Sequence, residues 1–150
     1  AISAIPLFGR EVKMGSAKRK PLWDKTGKIL NACRAVYDEL GPGHMEVYYQ
    51  RALYYEFQAL GMEFGREYEI EMYYKGHPIG KRRADFYFGD VILEIKAKSE
   101  LDKVDFMQTL GYIRAANVPV GLLVNFGAPK LEIKRIINSK ANLNRGNHGD

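Results

Sequence analysis

Two acidic residues, Asp85 and Glu94, stand on either side of a Gly89-Asp90 dipeptide, and Lys96 follows close behind. Runs of β-forming residues flank the dipeptide, which predicts a β-hairpin with a two-residue turn. Counting back from this turn places Asp85 directly opposite Glu94. Like charges in such a pair, with Cβ atoms about 4.5–5.5 Å apart, destabilise a sheet. The pair therefore predicts a bound divalent cation, since Mg²⁺ is commonly held by one or two carboxylates together with waters and substrate phosphates.

Alternation along the two predicted strands separates a charged face from an apolar one, because successive side chains point to opposite sides of a sheet. The apolar face is predicted to be a core face and contains Ala84, Phe86, Phe88, Val91, Leu93, Ile95 and Ala97. The charged face contains Arg83, Asp85, Tyr87, Ile92, Glu94 and Lys96. Two explanations of the charged face stay open: a chemical site, or an exposed surface whose charges form cross-strand ion pairs.

The composition is that of a globular protein of one domain, with 150 residues of which 46% are hydrophobic and 27% charged. The net charge of +5 and the pI of about 9.2 favour polyanionic partners. No apolar run is long enough to span a membrane, so no membrane association is expected. The single cysteine, Cys33, excludes an intrachain disulfide and a multi-cysteine zinc site, and it favours a reducing, cytoplasmic location.

Periodicity and helix breakers predict the elements that must position the hairpin. In chain order they are a helix from about Leu22 to the breaker Gly41-Pro42-Gly43, a helix over 44–60 capped by Gly61, a strand over 67–74, the hairpin strands, a helix over 102–116 capped by Asp102, a buried strand over 119–126, and a strand or short helix over 131–137. A strand–helix–strand connection is right-handed by default, so these elements predict an α/β domain with a mixed central sheet flanked by helices. Residues 1–20 are predicted to be an N-terminal arm. The Asn-rich stretch from Asn138 is expected to lie outside the core, with 139–150 as a flexible tail, which leaves 21–138 as the domain.

Asp85 followed by Glu94-Ile95-Lys96 is the core pattern of the PD-(D/E)XK nuclease superfamily, whose members have a restriction-endonuclease-like core. Three further segments extend the match, namely Gly43-His44-Met45-Glu46, Gln108-Thr109-Leu110-Gly111-Tyr112 and Val124-Asn125-Phe126-Gly127. Together these segments resemble the small bacterial and archaeal GxxExxR proteins of that superfamily, over roughly Trp23 to Asn138. The arginine of the family name falls at Tyr49 in this chain, with Arg51 nearby.

The resemblance implies that Asp85 and Glu94 are metal ligands and that Lys96 is the catalytic lysine. The carbonyl of Ile95 can complete the coordination shell. A metal held in this way lowers the pKa of a bound water, and Lys96 can stabilise the charge on the phosphate. The resemblance also implies that Glu46 is a further acidic ligand. A second explanation of Glu46 stays open, since the helix macrodipole favours an acid in the first turn.

Contacts with the substrate are expected from further positions. Gln108 and Tyr112 are similar to the Q-xxx-Y motif of the RecB-like branch of the superfamily, and they share one helix face. Arg83 closes the basic run Lys81-Arg82-Arg83, which either holds a phosphate backbone or is a solvated charge run. Three tyrosine pairs offer rings for stacking on unpaired bases or for packing at the core edge; they are Tyr48-Tyr49, Tyr54-Tyr55 and Tyr73-Tyr74.

These features predict a Mg²⁺- or Mn²⁺-dependent nuclease that hydrolyses phosphodiester bonds of nucleic acid, with DNA favoured as the substrate. The alternative is a non-catalytic nucleic-acid-binding or protein-partner module that retains the nuclease fold. The intact acidic pair argues against this alternative, because a pure phosphate binder gains nothing from two adjacent negative charges. The small size of the chain suggests that specificity comes from a homodimer or a protein partner.

Overall fold

The computed structural model describes residues 16–141, with side chains from residue 21 onward. The elements follow in the order α1 (Ser16–Leu40), α2 (Glu46–Ala59), β1 (Gly65–Tyr74), β2 (His77–Tyr87), β3 (Val91–Lys96), α3 (Lys103–Ala116), β4 (Val120–Asn125) and β5 (Glu132–Ile137). This is the predicted order, and the last element is a strand rather than a short helix.

The strands form one mixed sheet in the order β1-β2-β3-β4-β5. β3 and β4 are parallel and are connected through α3, whereas the other neighbouring strands are antiparallel. Two clusters of buried side chains cover the sheet, one packed with α1 and α2 and the other with α3. The predicted α/β domain with a mixed sheet flanked by helices is confirmed.

Every residue of β4 is buried, as its continuous apolar sequence predicts for a strand covered on both faces. Gly121 lies under α3, where an added Cβ would come within 2.9 Å of Ile113 Cγ2 and 3.1 Å of Thr109 Cγ2. The missing side chain at Gly121 therefore lets α3 pack closely on the sheet.

The predicted caps are present at the helix ends nearest the hairpin. Gly61 follows α2 in the left-handed conformation, with φ of 69°, and its N–H donates to the carbonyl of Gln58. Asp102 accepts from the N–H of Asp105 at 3.0 Å, and the Asp105 carboxylate accepts in return from the N–H of Asp102 at 2.9 Å. This reciprocal capping box fixes the start of α3.

The first helix is longer than the apolar pattern predicts, since α1 begins at Ser16 instead of about Leu22. Residues 16–20, assigned to the arm, are therefore helical. The basic run Lys18-Arg19-Lys20 consists of good helix formers, but it provides no apolar period from which a helix can be recognised. Residues 1–15 lie outside the described part of the chain. No helix within that described part, α1 included, is apolar enough to cross a membrane.

The end of the core differs from the prediction at Asn138. Its side chain is buried, and the Nδ2 donates to the carbonyls of Ile113 at 3.2 Å and Val118 at 3.0 Å. The stretch expected to lie outside the core thus begins with a residue that joins the end of β5 to the end of α3. Residues 142–150 of the predicted tail lie outside the described residues.

The predicted alternation fails at one point of β2. Ala84 was expected to share a face with Phe86, but Ala84 packs in the cluster under α3, whereas Phe86 packs in the cluster with α1 and α2. The β1–β2 ladder omits the rung between Glu67 and Asp85, and Glu67 has a φ of 51°. This irregularity turns the strand at Asp85, so side chains before and after it face opposite layers.

Candidate active site

The predicted hairpin register is confirmed, but its backbone ladder is short. Beside the turn, β2 and β3 pair only as far as Phe86 opposite Leu93. At the next rung, acidic side chains replace the backbone acceptors. Glu94 Oε1 accepts from the N–H of Asp85 at 2.7 Å, and Asp85 Oδ2 accepts from the N–H of Ile95 at 2.9 Å. Asp85 and Glu94 are therefore neighbours, each bound to the other's strand.

Burial makes this acidic pair costly to ionise. Glu94 is 6% exposed, and desolvation followed by the charge of Asp85 raises its pKa well above the usual value. Desolvation also raises the pKa of Asp85, against the lowering effect of hydrogen bonds from Ile95 and Gln50. Among the described side chains, the salt bridges nearby use other acids and neutralise neither carboxylate. An exposed face of cross-strand ion pairs is therefore not what forms. The pair consists of a buried Glu94 and a half-buried Asp85, whose ionised forms a cation would stabilise.

The first two turns of α2 approach the acidic pair. Gln50 Nε2 donates to Asp85 Oδ1 at 3.1 Å. Glu46 is exposed at the start of α2, and its pKa is raised by partial desolvation and then by the charge of Asp85, while Lys96 lowers it. Gln50 was not among the predicted site residues. Its spacing of one turn from Glu46 is the signal that could have identified it.

Tyr49 occupies the position of the arginine in the GxxExxR pattern. Its side chain contacts the loop before α2. Its hydroxyl donates to the carbonyl of Gly41 at 2.6 Å and accepts from the N–H of His44 at 3.2 Å. The buried ring stacks on Phe126 with centroids 4.7 Å apart. Tyr49 therefore anchors the loop that leads into α2 and positions Glu46.

Tyr49→Phe is expected to keep the ring stacking and to lose both hydrogen bonds, leaving groups of Gly41 and His44 unpaired. We expect the free energy of unfolding to fall by about 1–2 kcal/mol, which lowers the Tm by about 4 °C in thermal denaturation. Tyr48→Phe, at an exposed neighbour, is the matched control and should leave the Tm unchanged. Equal melting of the two variants would contradict the anchoring role.

Lys96 lies on the α3 side of the pair. Its Nζ donates to Gln108 Oε1 at 3.4 Å and lies 3.9 Å from Asp105 Oδ1. Asp105 is buried and also accepts from Lys98 Nζ at 2.9 Å. The predicted residue Gln108 is thus beside Lys96, whereas Asp105 was not predicted. Its signal was the three-residue spacing from Asp102, which is that of a capping box.

The hydroxyl of Tyr112 is influenced by the acidic pair: desolvation and then the charge of Glu94 raise the pKa of Tyr112. The guanidinium carbon of Arg82 lies 5.4 Å from the Tyr112 ring centroid. Arg83 instead pairs with Glu67 at 3.4 Å, where both side chains are largely exposed. The structure therefore brings Arg82 to Tyr112, and a contact between Arg83 and nucleic acid stays a prediction.

Asn125 holds the chain immediately after Lys96. Its Oδ1 accepts from the N–H groups of Lys98 at 3.0 Å and Gly127 at 3.1 Å. Its Nδ2 donates to the Lys98 carbonyl at 2.8 Å and to Glu132 Oε1 at 2.7 Å. The buried amide thus uses both of its polar atoms to fix the segment that follows β3.

Gly127→Ala is expected to destabilise this segment strongly. The added Cβ would lie 2.4 Å from the Lys98 nitrogen and 2.6 Å from the Ala97 carbonyl carbon, and backbone atoms cannot move away cheaply. We expect a loss of about 3 kcal/mol and a Tm lower by about 10 °C in calorimetry.

Gly111→Ala is the matched control for this substitution. A Cβ at Gly111 meets nothing within 4 Å, and alanine is favoured over glycine in a helix by about 1 kcal/mol. The control should therefore melt at or above the wild-type temperature. A Gly127 variant that melts with the wild type would contradict the close packing on Lys98.

The donors around the pair suit Mg²⁺ or Mn²⁺, which prefer oxygen ligands. They are the carboxylates of Asp85 and Glu94 and the carbonyl of Ile95. A strand residue directs its N–H and its carbonyl toward the same neighbouring strand. The Ile95 carbonyl therefore points to the side of Asp85, which accepts from the Ile95 N–H. Within the described residues, no group of three or more His, Cys, Asp or Glu side chains is arranged to hold a metal. A cation here would therefore need waters or phosphate oxygens as its remaining ligands, and Glu46 as a ligand stays a prediction.

A family model described as the PD-(D/E)XK nuclease superfamily matches residues 23–136. This region runs from α1 into β5 and includes all the site residues described above. Searches of curated proteins and of solved structures found no significant match.

Proposed function

Because this chain belongs to the PD-(D/E)XK nuclease superfamily, we propose that it is a Mg²⁺- or Mn²⁺-dependent nuclease that hydrolyses phosphodiester bonds, with DNA as the favoured substrate. The observation that carries the proposal is the side-by-side pair of a half-buried Asp85 and a buried Glu94, without a salt bridge among the described side chains and with Lys96 close by. Two ionised carboxylates at this distance repel each other, and a bound cation would offset that repulsion.

In the proposed mechanism Asp85, Glu94 and the Ile95 carbonyl would hold the metal. When bound, the metal supplies a more acidic water and neutralises charge on the phosphate. Lys96 provides a positive charge beside the reacting phosphate, where it stabilises the charge that develops in the transition state. Gln50 orients the Asp85 carboxylate through its hydrogen bond at 3.1 Å, and α3 positions Lys96.

Three finer features belong to the same proposal. Membership of the GxxExxR family within the superfamily is supported by the segment that ends in Glu46 at the start of α2. Contacts with nucleic acid are assigned to Arg83, Gln108 and Tyr112, and the net charge of +5 favours such a polyanion. A cytoplasmic location is proposed because the lone Cys33 is free and buried.

The proposal is tested with purified protein and four substrates: plasmid, linear duplex DNA, single-stranded DNA and RNA. Each is incubated with Mg²⁺, Mn²⁺ or EDTA, beside Asp85→Ala and Lys96→Ala. We expect cleavage of DNA that requires metal and is lost in both variants. Cleavage that survives both substitutions would rule out the assigned site. If nothing is cut and calorimetric titration shows no metal binding that depends on Asp85, the chain is a non-catalytic module.

A further inference from the structure

Outside the site, β1 and β2 continue outward as a two-stranded ribbon. β3 pairs with β2 only near the turn, and Ile70 is the outermost buried residue of β1. The β1–β2 pairing runs on from there to the Lys75-Gly76 turn. We refer to residues 72–80 as the ribbon tip.

The ribbon tip exposes large apolar side chains. Tyr73, Tyr74 and Ile79 are 62%, 60% and 65% exposed. Because Tyr73 and Tyr74 are consecutive in a strand, their rings belong to opposite faces of the ribbon. Apolar groups on both faces do not make the single contiguous patch that is typical of a protein interface. Exposed rings on both faces of the ribbon instead suit a flexible ligand that has several flat rings of its own.

The charges along the ribbon favour a polyanion at its tip. Closer to the core, glutamates of β1 are matched by basic residues of β2, as in Lys81 and Glu69 at 3.5 Å. The ribbon tip contains Lys75 and His77 but no acidic residue. Lys75 Nζ lies 5.4 Å from the Tyr74 ring centroid, which places a cation at an exposed aromatic face. Stacking rings with adjacent cations are the features that bind single-stranded nucleic acid.

The edge of the ribbon tip is unsuited to pairing with another strand. Pro78 has no N–H to contribute to a ladder, and the β1–β2 register shifts between Met72 and Tyr73, which leaves Ile79 without a partner in register. Proline and irregular pairing are devices that prevent edge-to-edge association. A second copy of this chain added through the edge is therefore disfavoured.

The ribbon begins at the candidate active site. Asp85 lies at its base, and Arg82 contacts the ring of Tyr112 beside the acidic pair. A strand rises about 3.4 Å per residue, so Ile79 lies about 20 Å from Asp85. A nucleic-acid strand stacked as in a duplex advances about 3.4 Å per nucleotide, and an unpaired strand can extend further, so about six nucleotides or fewer cover this distance. A nucleic acid held at the acidic pair can therefore reach the ribbon tip.

We propose that the ribbon tip binds unpaired bases within about six nucleotides of the scissile phosphate, by stacking on Tyr73 and Tyr74 with Lys75 beside the backbone. This inference rests on the proposed function for the position of the scissile phosphate. The ribbon tip would bind the part of the nucleic-acid strand that flanks the active site. The substrate class that follows is single-stranded nucleic acid or a duplex with a single-stranded flank.

The test measures binding by fluorescence anisotropy in EDTA, so that no cleavage occurs. The probes are a long single strand of DNA, of about 20 nucleotides, and a blunt duplex of about 20 base pairs. We expect the double variant Tyr73→Ser, Tyr74→Ser to bind the long single strand about 30-fold more weakly. Its affinity for the duplex should stay within about threefold.

Two controls separate stacking from folding and from general surface effects. The double variant Tyr73→Phe, Tyr74→Phe keeps the rings and should bind the long strand as the wild type does. Tyr55→Ser removes a comparably exposed ring from α2 and should change no affinity. Circular dichroism melts check that the serine variant keeps its fold, and the phenylalanine variant gives an independent comparison if it does not.

The outcomes distinguish this inference from the proposed function. No loss on the long strand, or an equal loss on the duplex, would overturn the inference while leaving the Mg²⁺ cleavage assay unaffected. A dimer of the free protein that the serine variant abolishes in sedimentation would also overturn it in favour of a second copy. Tip-dependent binding without any cleavage would support the ribbon tip and refute the nuclease.

Discussion

Glu94→Gln is expected to reduce metal-dependent cleavage by at least about a thousandfold and, without metal, to make the chain more stable than the wild type. Glutamine keeps the shape of the side chain, and its Oε1 still accepts from the N–H of Asp85, a bond of 2.7 Å in the wild type. The substitution removes the negative charge needed for the cation. It also removes a buried carboxylate beside Asp85, and we expect a gain of about 1–2 kcal/mol in the free energy of unfolding.

The pH dependence of stability gives this prediction its sign. The folded chain holds the pKa of Glu94 well above the usual 4.5, whereas the unfolded chain ionises near 4.5. Between these values the folded state binds more protons than the unfolded state, so the free energy of unfolding falls as pH rises through the window. In Glu94→Gln this fall should be smaller, and added Mg²⁺ should stabilise the wild type more than the variant.

The measurement is urea denaturation of both proteins from pH 4 to pH 8, with and without Mg²⁺, beside a cleavage assay. Glu100→Gln is the matched control, because Glu100 is exposed and lies just beyond β3. It should change neither stability nor cleavage. A Glu94 variant less stable than the wild type across the whole range would show that the carboxylate is structural.

Lys96→Met is expected to lower cleavage by about a hundredfold to a thousandfold and to move the acid limb of the pH profile upward. The charge of Lys96 lowers the pKa values of Asp85, Glu94 and Glu46. Without that charge, the carboxylates ionise only at higher pH. Half-maximal activity should therefore require a higher pH than in the wild type.

The shift of the pH profile separates a chemical role of Lys96 from a packing role, since lost packing alone would lower activity equally at every pH. Lys96→Arg keeps the charge and should retain the wild-type acid limb, although its planar head does not reproduce the ammonium geometry. Lys134→Met, at an exposed position of β5, is the control for loss of a surface charge. An unshifted acid limb in Lys96→Met would contradict the electrostatic role.

The hairpin shows how much of the site is encoded locally. A two-residue turn leaves one register, so Asp85 opposite Glu94 follows from counting residues, and the structure confirms it. Turns and helix caps depend on only a few neighbouring residues. The caps at Gly61 and Asp102 could therefore also be predicted from the sequence. The apolar period also identified α3 and the buried strand β4.

Other features of the site could not be predicted from the sequence, because they depend on residues that are distant in the chain. Gln50 gains its role only when α2 lies against β2, and Asp105 only when α3 brings it to Lys96. The reversed facing of Ala84 results from the omitted rung at Glu67, a distortion across two strands. The composition around Asn138 predicts a tail residue, yet its side chain donates a hydrogen bond to the carbonyl of Ile113 near the end of α3.

The sequence by itself determined the α/β class, the hairpin register and the acidic pair with its lysine, because turn geometry and side-chain alternation are short-range properties. The tertiary structure alone decided that Glu94 is buried and Asp85 half-buried, that no described salt bridge neutralises them, and that side chains of α2 and α3 contact Asp85 and Lys96. Burial and electrostatic environment depend on the packing of distant elements, which no local pattern encodes. That packing turns two like charges on a hairpin into a candidate metal site.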